Sequence, residues 1–202
     1  MKLFIAILIL IFGFQSFSNA DDIDDFEIEG MSVGDSLLDF FSTDEIKKFI
    51  NHKSSYNYIN TDYVIVGITN HNQSSINLET YSDLGVTINK KDNKYKILSI
   101  AGQNYSFTNI NDCNKKQKLI AKSIKEDALG KGVDEDIWQN DKWISGNIVV
   151  GKSMMHDFIF DDFSAVRIIC YELNEEGKKQ ASWNVKLDVI INSKKFNTFL
   201  AN

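Results

Sequence analysis

The last third of the chain constrains the fold most. Trp183, Val185, Leu187, Val189 and Ile191 alternate with Asn184, Lys186 and Asp188. A strand sends successive side chains to opposite faces, so a two-residue period marks a strand with one face in a core. Just before it, Phe163–Leu173 (FSAVRIICYEL) is apolar on both faces, as a strand in the middle of a sheet should be. Asn174–Lys179 is the polar turn between them, and Phe158–Phe160 offers a further strand partner. Strands joined by a short turn pair antiparallel.

Upstream, Tyr63–Thr69, Leu84–Asn89 and Tyr95–Ala101 are β-rich runs, with Lys90–Lys94 as a tight polar turn. They read as a second antiparallel meander. Asn111–Leu129 carries helical spacing, with Leu119, Ile120, Ile124 and Ala128 on one side and Lys115, Lys118, Lys122 and Lys125 on the other. Gly130 and Gly132 end it. Two capping patterns, Ser32-x-x-Asp35 and Ser42-x-x-Glu45, start two short helices or one bent helix, and a last helix begins at Ser193. Val133–Ser145 shows no period, so Trp138 and Trp143 are expected as loop anchors. The expected class is α+β: an antiparallel sheet in the order helices, meander, helix, meander, with the helices packed on one face. Residues 26–202 would form one domain, with halves at about 26–110 and 111–202.

The chain opens with a positive residue, Lys2, an apolar run from Leu3 to Phe14, and the small-x-Ala site Ser18-Asn19-Ala20. That is the pattern of a cleaved secretory signal spanning residues 1–20. A membrane span needs about 20 apolar residues, and Gln15 interrupts too early, so no integral membrane segment is expected after cleavage. Asp21–Asp25 (DDIDD) reads as a mobile acidic leader. The destination is the periplasm or the exterior. In such a compartment Cys113 and Cys170, the two cysteines, are expected to form a disulfide.

Charge excludes one class of partner. Without Lys2, 21 basic residues stand against 28 acidic ones, a net charge of −7. No basic run exists and Arg167 is the single arginine, so a nucleic-acid partner is not expected. No cofactor and no metal is implied. Gly146–Ser153 (GNIVVGKS) matches the letters of a phosphate loop, but Ile148, Val149 and Val150 suit a strand better than an anion nest. Met154-Met155-His156-Asp157 lacks a second ligand cluster to complete a coordination sphere, and His156 reads as exposed. Asn72-Gln73-Ser74 and Asn104-Tyr105-Ser106 are glycosylation patterns.

Gly34-Asp35-Ser36-Leu37 resembles the signature of the GDSL esterases and lipases, which would make Ser36 a nucleophile. That family activates its serine with a histidine in Asp-x-x-His. Here His52, His71 and His156 are preceded at that spacing by Phe49, Ile68 and Ser153. A serine without a base attacks poorly. The segments IEGMSVGDSLLDFFSTDEIKKFI, YKILSIAG, NDCNKKQKLIAKSI and RIICYEL together resemble a group of small exported bacterial proteins of uncharacterised function. That resemblance implies export and paired cysteines, and no activity. The leading expectation is a non-enzymatic module that binds a protein or small-molecule partner. The alternatives are a hydrolase using Ser36 and a structural protein of the envelope.

Overall fold

The computed structural model describes residues 23–69, 76–127, 132–145 and 148–201. The alternating stretch forms strand β8 (Val185–Asn192), and the two-faced run before it forms β7 (Ala165–Leu173). They pair antiparallel, with Ile168 opposite Val189 and Cys170 opposite Leu187. On its other side β8 pairs with β4 (Ile97–Asn104), which brings Ile100 opposite Ile191. The other strands are β1 (Tyr56–Asn57), β2 (Tyr63–Thr69), β3 (Asp83–Asn89), β5 (Val133–Ser145) and β6 (Ile148–Phe160). The sheet is antiparallel throughout, in the order β1-β2-β3-β4-β8-β7-β6-β5. Two four-stranded meanders therefore meet at a single seam, β4 against β8, and the class is α+β.

The register gives the sheet two unlike faces. Val66, Val86, Ile100, Ile191, Val166 and Phe158 stand in one row across the strands, and all are buried. This core face is covered by two helices and by the N-terminal segment. Helix α1 (Thr43–Ile50) lays Ile46 and Phe49 over β2. Burying each such side chain contributes roughly 1.5–3 kcal/mol. Its start is a complete capping box: the Ser42 amide donates to Glu45 Oε2 at 2.9 Å, and the Glu45 amide donates to Ser42 Oγ at 3.4 Å. Helix α2 (Ile110–Asp127) packs on β7, β8 and β6, tied down by the Cys113–Cys170 disulfide. Below the bridge, buried Gln117 donates from Nε2 to the carbonyls of Met154 (2.8 Å) and Ile168 (2.7 Å). A short helix α3 (Glu175–Lys178) lies in the β7–β8 connection, capped by Asn174.

Five expectations are corrected. The first capping pattern does not start an α-helix: Gly34 takes φ +92° and Leu37–Asp39 is one 3-10 turn, because Gly34 and Leu37 donate to the carbonyls of Ile97 and Tyr95. Ile23, placed in a mobile leader by sequence, is buried in the core. Val133–Ser145 is strand β5 rather than loop, paired along β6 in a thirteen-residue hairpin arm. On α2 the inward side is Cys113, Gln117, Ala121 and Ile124, and Leu119 is 65% exposed. Finally, the last helix, α4 (Lys194–Leu200, capped by Ser193), crosses the other face of the sheet, near β4 and β8. The apolar leader, His71, Ala128, Gly130 and Asn72-Gln73-Ser74 lie outside the described residues.

Candidate ligand-binding site

The face opposite α1 and α2 is covered only in part. Its rows follow from the register: Ile65, Thr87, Ser99 and Asn192; then Gly67, Gly85, Ala101 and Ile190; then Thr69, Asp83, Gln103 and Asp188. The middle row is the decisive one. Two glycines and an alanine side by side remove the layer of side chains that a sheet face ordinarily carries. Gly67 is covered by Ser54, but a Cβ on Gly85 would touch only Ile65 at 3.3 Å and Ala101 at 3.9 Å. What results is a cleft of about 350 Å³, walled by Tyr58, Phe196 and Leu200. Helix α4 holds that wall through aromatic contacts: Phe196 meets Tyr58 and Tyr63 at 5.7 and 6.0 Å, and Phe199 meets Tyr63 at 4.9 Å.

One end of the cleft is charged. Asp188 is buried and pairs through Oδ2 with Lys186 Nζ at 2.8 Å. Lys186 in turn lies over the rings of Tyr171 (4.7 Å) and Trp183 (5.3 Å), and Trp143 stacks on Trp183 at 5.6 Å. Burial pushes the Asp188 carboxyl above the ordinary range, outweighing Lys186 and Gln103, which pull it down. The Tyr171 phenol is raised by burial and by Asp188, and the Tyr105 phenol by burial and then by Asp83 and Asp188. Gln103 stands beside the Asp188 carboxyl, yet Asp188 Oδ1 has no donor in hydrogen-bonding geometry among the described residues. Asn192 Oδ1, two positions along the same face of β8, is buried and equally unpartnered. Both residues line the cleft.

Arg167 enters the lining from β7. Its Nε donates to both oxygens of Asp157 at 3.1 Å, and Nη2 donates to Asn197 Oδ1 of α4 at 3.0 Å. Burial raises the Asp157 carboxyl and Arg167 opposes that shift. The chain's one arginine thus fixes α4 to the sheet while presenting a guanidinium edge to the cleft.

The residues singled out by sequence go elsewhere. Ser36 caps the 3-10 turn, its Oγ accepting from the Leu38 amide (3.2 Å) and donating to the Lys94 carbonyl (2.6 Å). No histidine is bonded to it among the described residues. His52 Nδ1 lies 2.7 Å from Ser54 Oγ, but it also accepts the Ser54 amide at 3.2 Å, the geometry of a local turn. Of the phosphate-loop letters, Gly151, Lys152 and Ser153 run inside β6, and Lys152 pairs with Glu172 at 3.0 Å; Gly146 lies outside the described residues. Met154 and His156 face the core while Met155 and Asp157 face away, so the four side chains cannot converge on one ion. His156, expected exposed, is 7% exposed beside Glu135 at 3.4 Å, itself bound to Lys125 of α2 at 2.5 Å. Among the described residues no His, Cys, Asp and Glu group suited to a metal ion occurs, and no helix is long and apolar enough to cross a membrane.

Comparison of the chain with protein-family models, with curated proteins and with solved structures finds no match. The site must be read from its own chemistry. Sequence reasoning missed Asp188, Asn192, Arg167 and the two glycines; the available signal was Gly67 and Gly85 inside strand-like runs, which marks close approach or a missing layer.

Proposed function

We propose that this protein is an exported, non-enzymatic binding module that takes a small ligand on the open sheet face. The observation that carries this reading is the row Gly67, Gly85, Ala101, which leaves a roofed hollow where a sheet face would otherwise pack. Its volume falls at the lower end of ligand pockets, which span roughly 300–1,000 Å³. An apolar floor and wall with a few polar groups is also the lining such pockets have. Export is supported by the leader pattern at residues 1–20 and by the Cys113–Cys170 bridge, which suits an oxidising compartment.

Gly85→Val is the test. Valine favours strands, and Gly85 has no left-handed backbone to forbid it, so the variant should fold with the hollow filled. A panel of small molecules screened by thermal shift should contain compounds that stabilise the wild type and not the variant. If every stabilising compound acts equally on both proteins, the cleft is not the binding site. A mature N-terminus other than Asp21 in exported material would refute the leader reading.

A further inference from the structure

Resting on that reading, we infer that the cleft takes a small neutral carbonyl compound, its apolar body over the glycine row and its oxygen on Arg167. The register carries that row on to β7: Gly67, Gly85, Ala101, Ile190 and Arg167 are successive cross-strand partners. The hollow over Gly85 thus ends at a guanidinium. It is the one cation among the described residues that line the cleft, and its side chain is 24% exposed. A ligand in the cleft meets this group, whereas Asp188 and Asn192 lie sealed beneath the lining.

Hydrogen-bond supply sets what the ligand must bring. A guanidinium has five N–H donors and accepts nothing. Nε is taken by Asp157 and Nη2 reaches Asn197, which leaves Nη1 without an acceptor among the described residues. Two other polar side chains of the lining are committed to protein partners. Gln103 accepts from the Tyr105 hydroxyl at 2.9 Å, and Ser54 Oγ lies 2.7 Å from His52 Nδ1. The complement of Nη1 is an acceptor on the ligand.

Charge makes that acceptor a neutral one. Asp157 already matches Arg167, so an anionic ligand would leave water for a lining that holds no unmatched cation among the described residues. A ketone, amide or lactone oxygen brings lone pairs and no charge. The body follows from the floor. Ile65 and Ala101 border the space above Gly85, and Ile190 and Leu200 extend the apolar lining. A cavity of about 150 Å³ admits benzene, so one of about 350 Å³ admits a single ring with a short substituent.

The test titrates the isotope-labelled mature protein at neutral pH with three ligands of one shape: acetophenone, α-methylstyrene and benzoate. Nuclear magnetic resonance reads both the affinity and the site, because the chain's single arginine gives guanidinium signals that belong to Arg167 alone. Acetophenone should bind about tenfold or more tighter than α-methylstyrene, the range of a hydrogen bond from a charged donor. It should also move the Arg167 guanidinium signals, which α-methylstyrene should leave near their free positions. Benzoate should bind more weakly than the ketone. Arg167→Lys keeps a cation for Asp157 and removes Nη1, so the ketone should fall to the affinity of the hydrocarbon. Where that variant does not fold, the guanidinium signals of the wild type decide. Equal binding of ketone and hydrocarbon, a bound ketone that leaves those signals unmoved, or benzoate matching the ketone overturns the carbonyl assignment. If all three ligands fail while other compounds bind in a Gly85→Val-sensitive way, the ligand class is wrong and the cleft reading stands. If nothing binds in that way, both fall.

Discussion

Lys186 and Asp188 sit two positions apart on one strand face, where the sequence pattern reads as the solvent side. Their side chains are only 11% and 7% exposed. A buried ion pair pays its desolvation penalty twice and recovers it only with good geometry. The raised Asp188 carboxyl says which term wins here: burial outweighs the lysine. Removing one partner strands the other, so Asp188→Leu alone should lose about 3–5 kcal/mol in urea unfolding. Lys186→Met with Asp188→Leu should return to within about 1 kcal/mol of the wild type at neutral pH, or exceed it. The sign with pH follows from linkage. A carboxyl held above its unfolded value keeps its proton longer in the folded chain, so its contribution is complete below the unfolded range and is lost as pH rises through the folded one. The groups around it are Lys186 on its own strand, Asp83 and Gln103 from β3 and β4, Tyr105, and Tyr171 and Arg167 from β7. The stability difference between the wild type and the apolar double variant should therefore shift toward the wild type as pH falls from neutral toward 4. A difference that is flat or moves the other way would contradict the assignment of Asp188 as a net buried cost.

At the scale of elements, the helix starts at Ser42 and Ser193 were legible, whereas the Ser32 pattern and the edges of the sheet were not. Ser42-x-x-Glu45 forms the box its letters spell, and Ser42→Ala should lower stability by about 1 kcal/mol. Ser36→Ala should cost a similar amount through its cap on the 3-10 turn. Fluorophosphonate should label neither that variant nor the wild type; labelling that depends on Ser36 would reopen the hydrolase reading. The pairing of Cys113 with Cys170 was read from count and compartment, and it joins α2 to β7 across a separation of 57 residues. Cys113→Ser with Cys170→Ser should cost roughly 4 kcal/mol on the chain-entropy model, measured as a drop in urea midpoint at unchanged slope. β8 and β7 were readable because burial imposes alternation or two-faced hydrophobicity on them. β5 was not, since it lies at the sheet edge, with Ile137, Trp138 and Ile144 about half exposed and charged residues between them. The cleft was hidden for a different reason. It is made of side chains that are absent, and only the register of β2, β3 and β4 places Gly67, Gly85 and Ala101 in one row.

The whole molecule is two meanders, each preceded by a helix on the core face, held together along β4 and β8. Six residue pairs span that seam, from Ser99–Asn192 to Asn104–Leu187. The candidate site straddles it, with Ser99, Ala101 and Gln103 on one side and Asp188, Ile190 and Asn192 on the other. The shape of the cleft is thus coupled to the integrity of the seam, and so is cooperativity. All three tryptophans, Trp138, Trp143 and Trp183, lie in the second meander and its connections. Tryptophan fluorescence therefore follows that half alone, while far-ultraviolet circular dichroism follows both. In the wild type the two urea transitions should coincide, because one continuous core runs across β4 and β8 through Ile100, Ile191 and Val166. Ile191→Ala opens a cavity at that point, where the side chain is 2% exposed, and should cost about 2–5 kcal/mol. Its loss falls on the contact between the halves. The disulfide continues to hold α2 to β7 within the second half, so the first meander should unfold earlier and the two probes should separate. Coincident transitions in Ile191→Ala, shifted together, would mean that the helices and the N-terminal segment couple the halves without the seam.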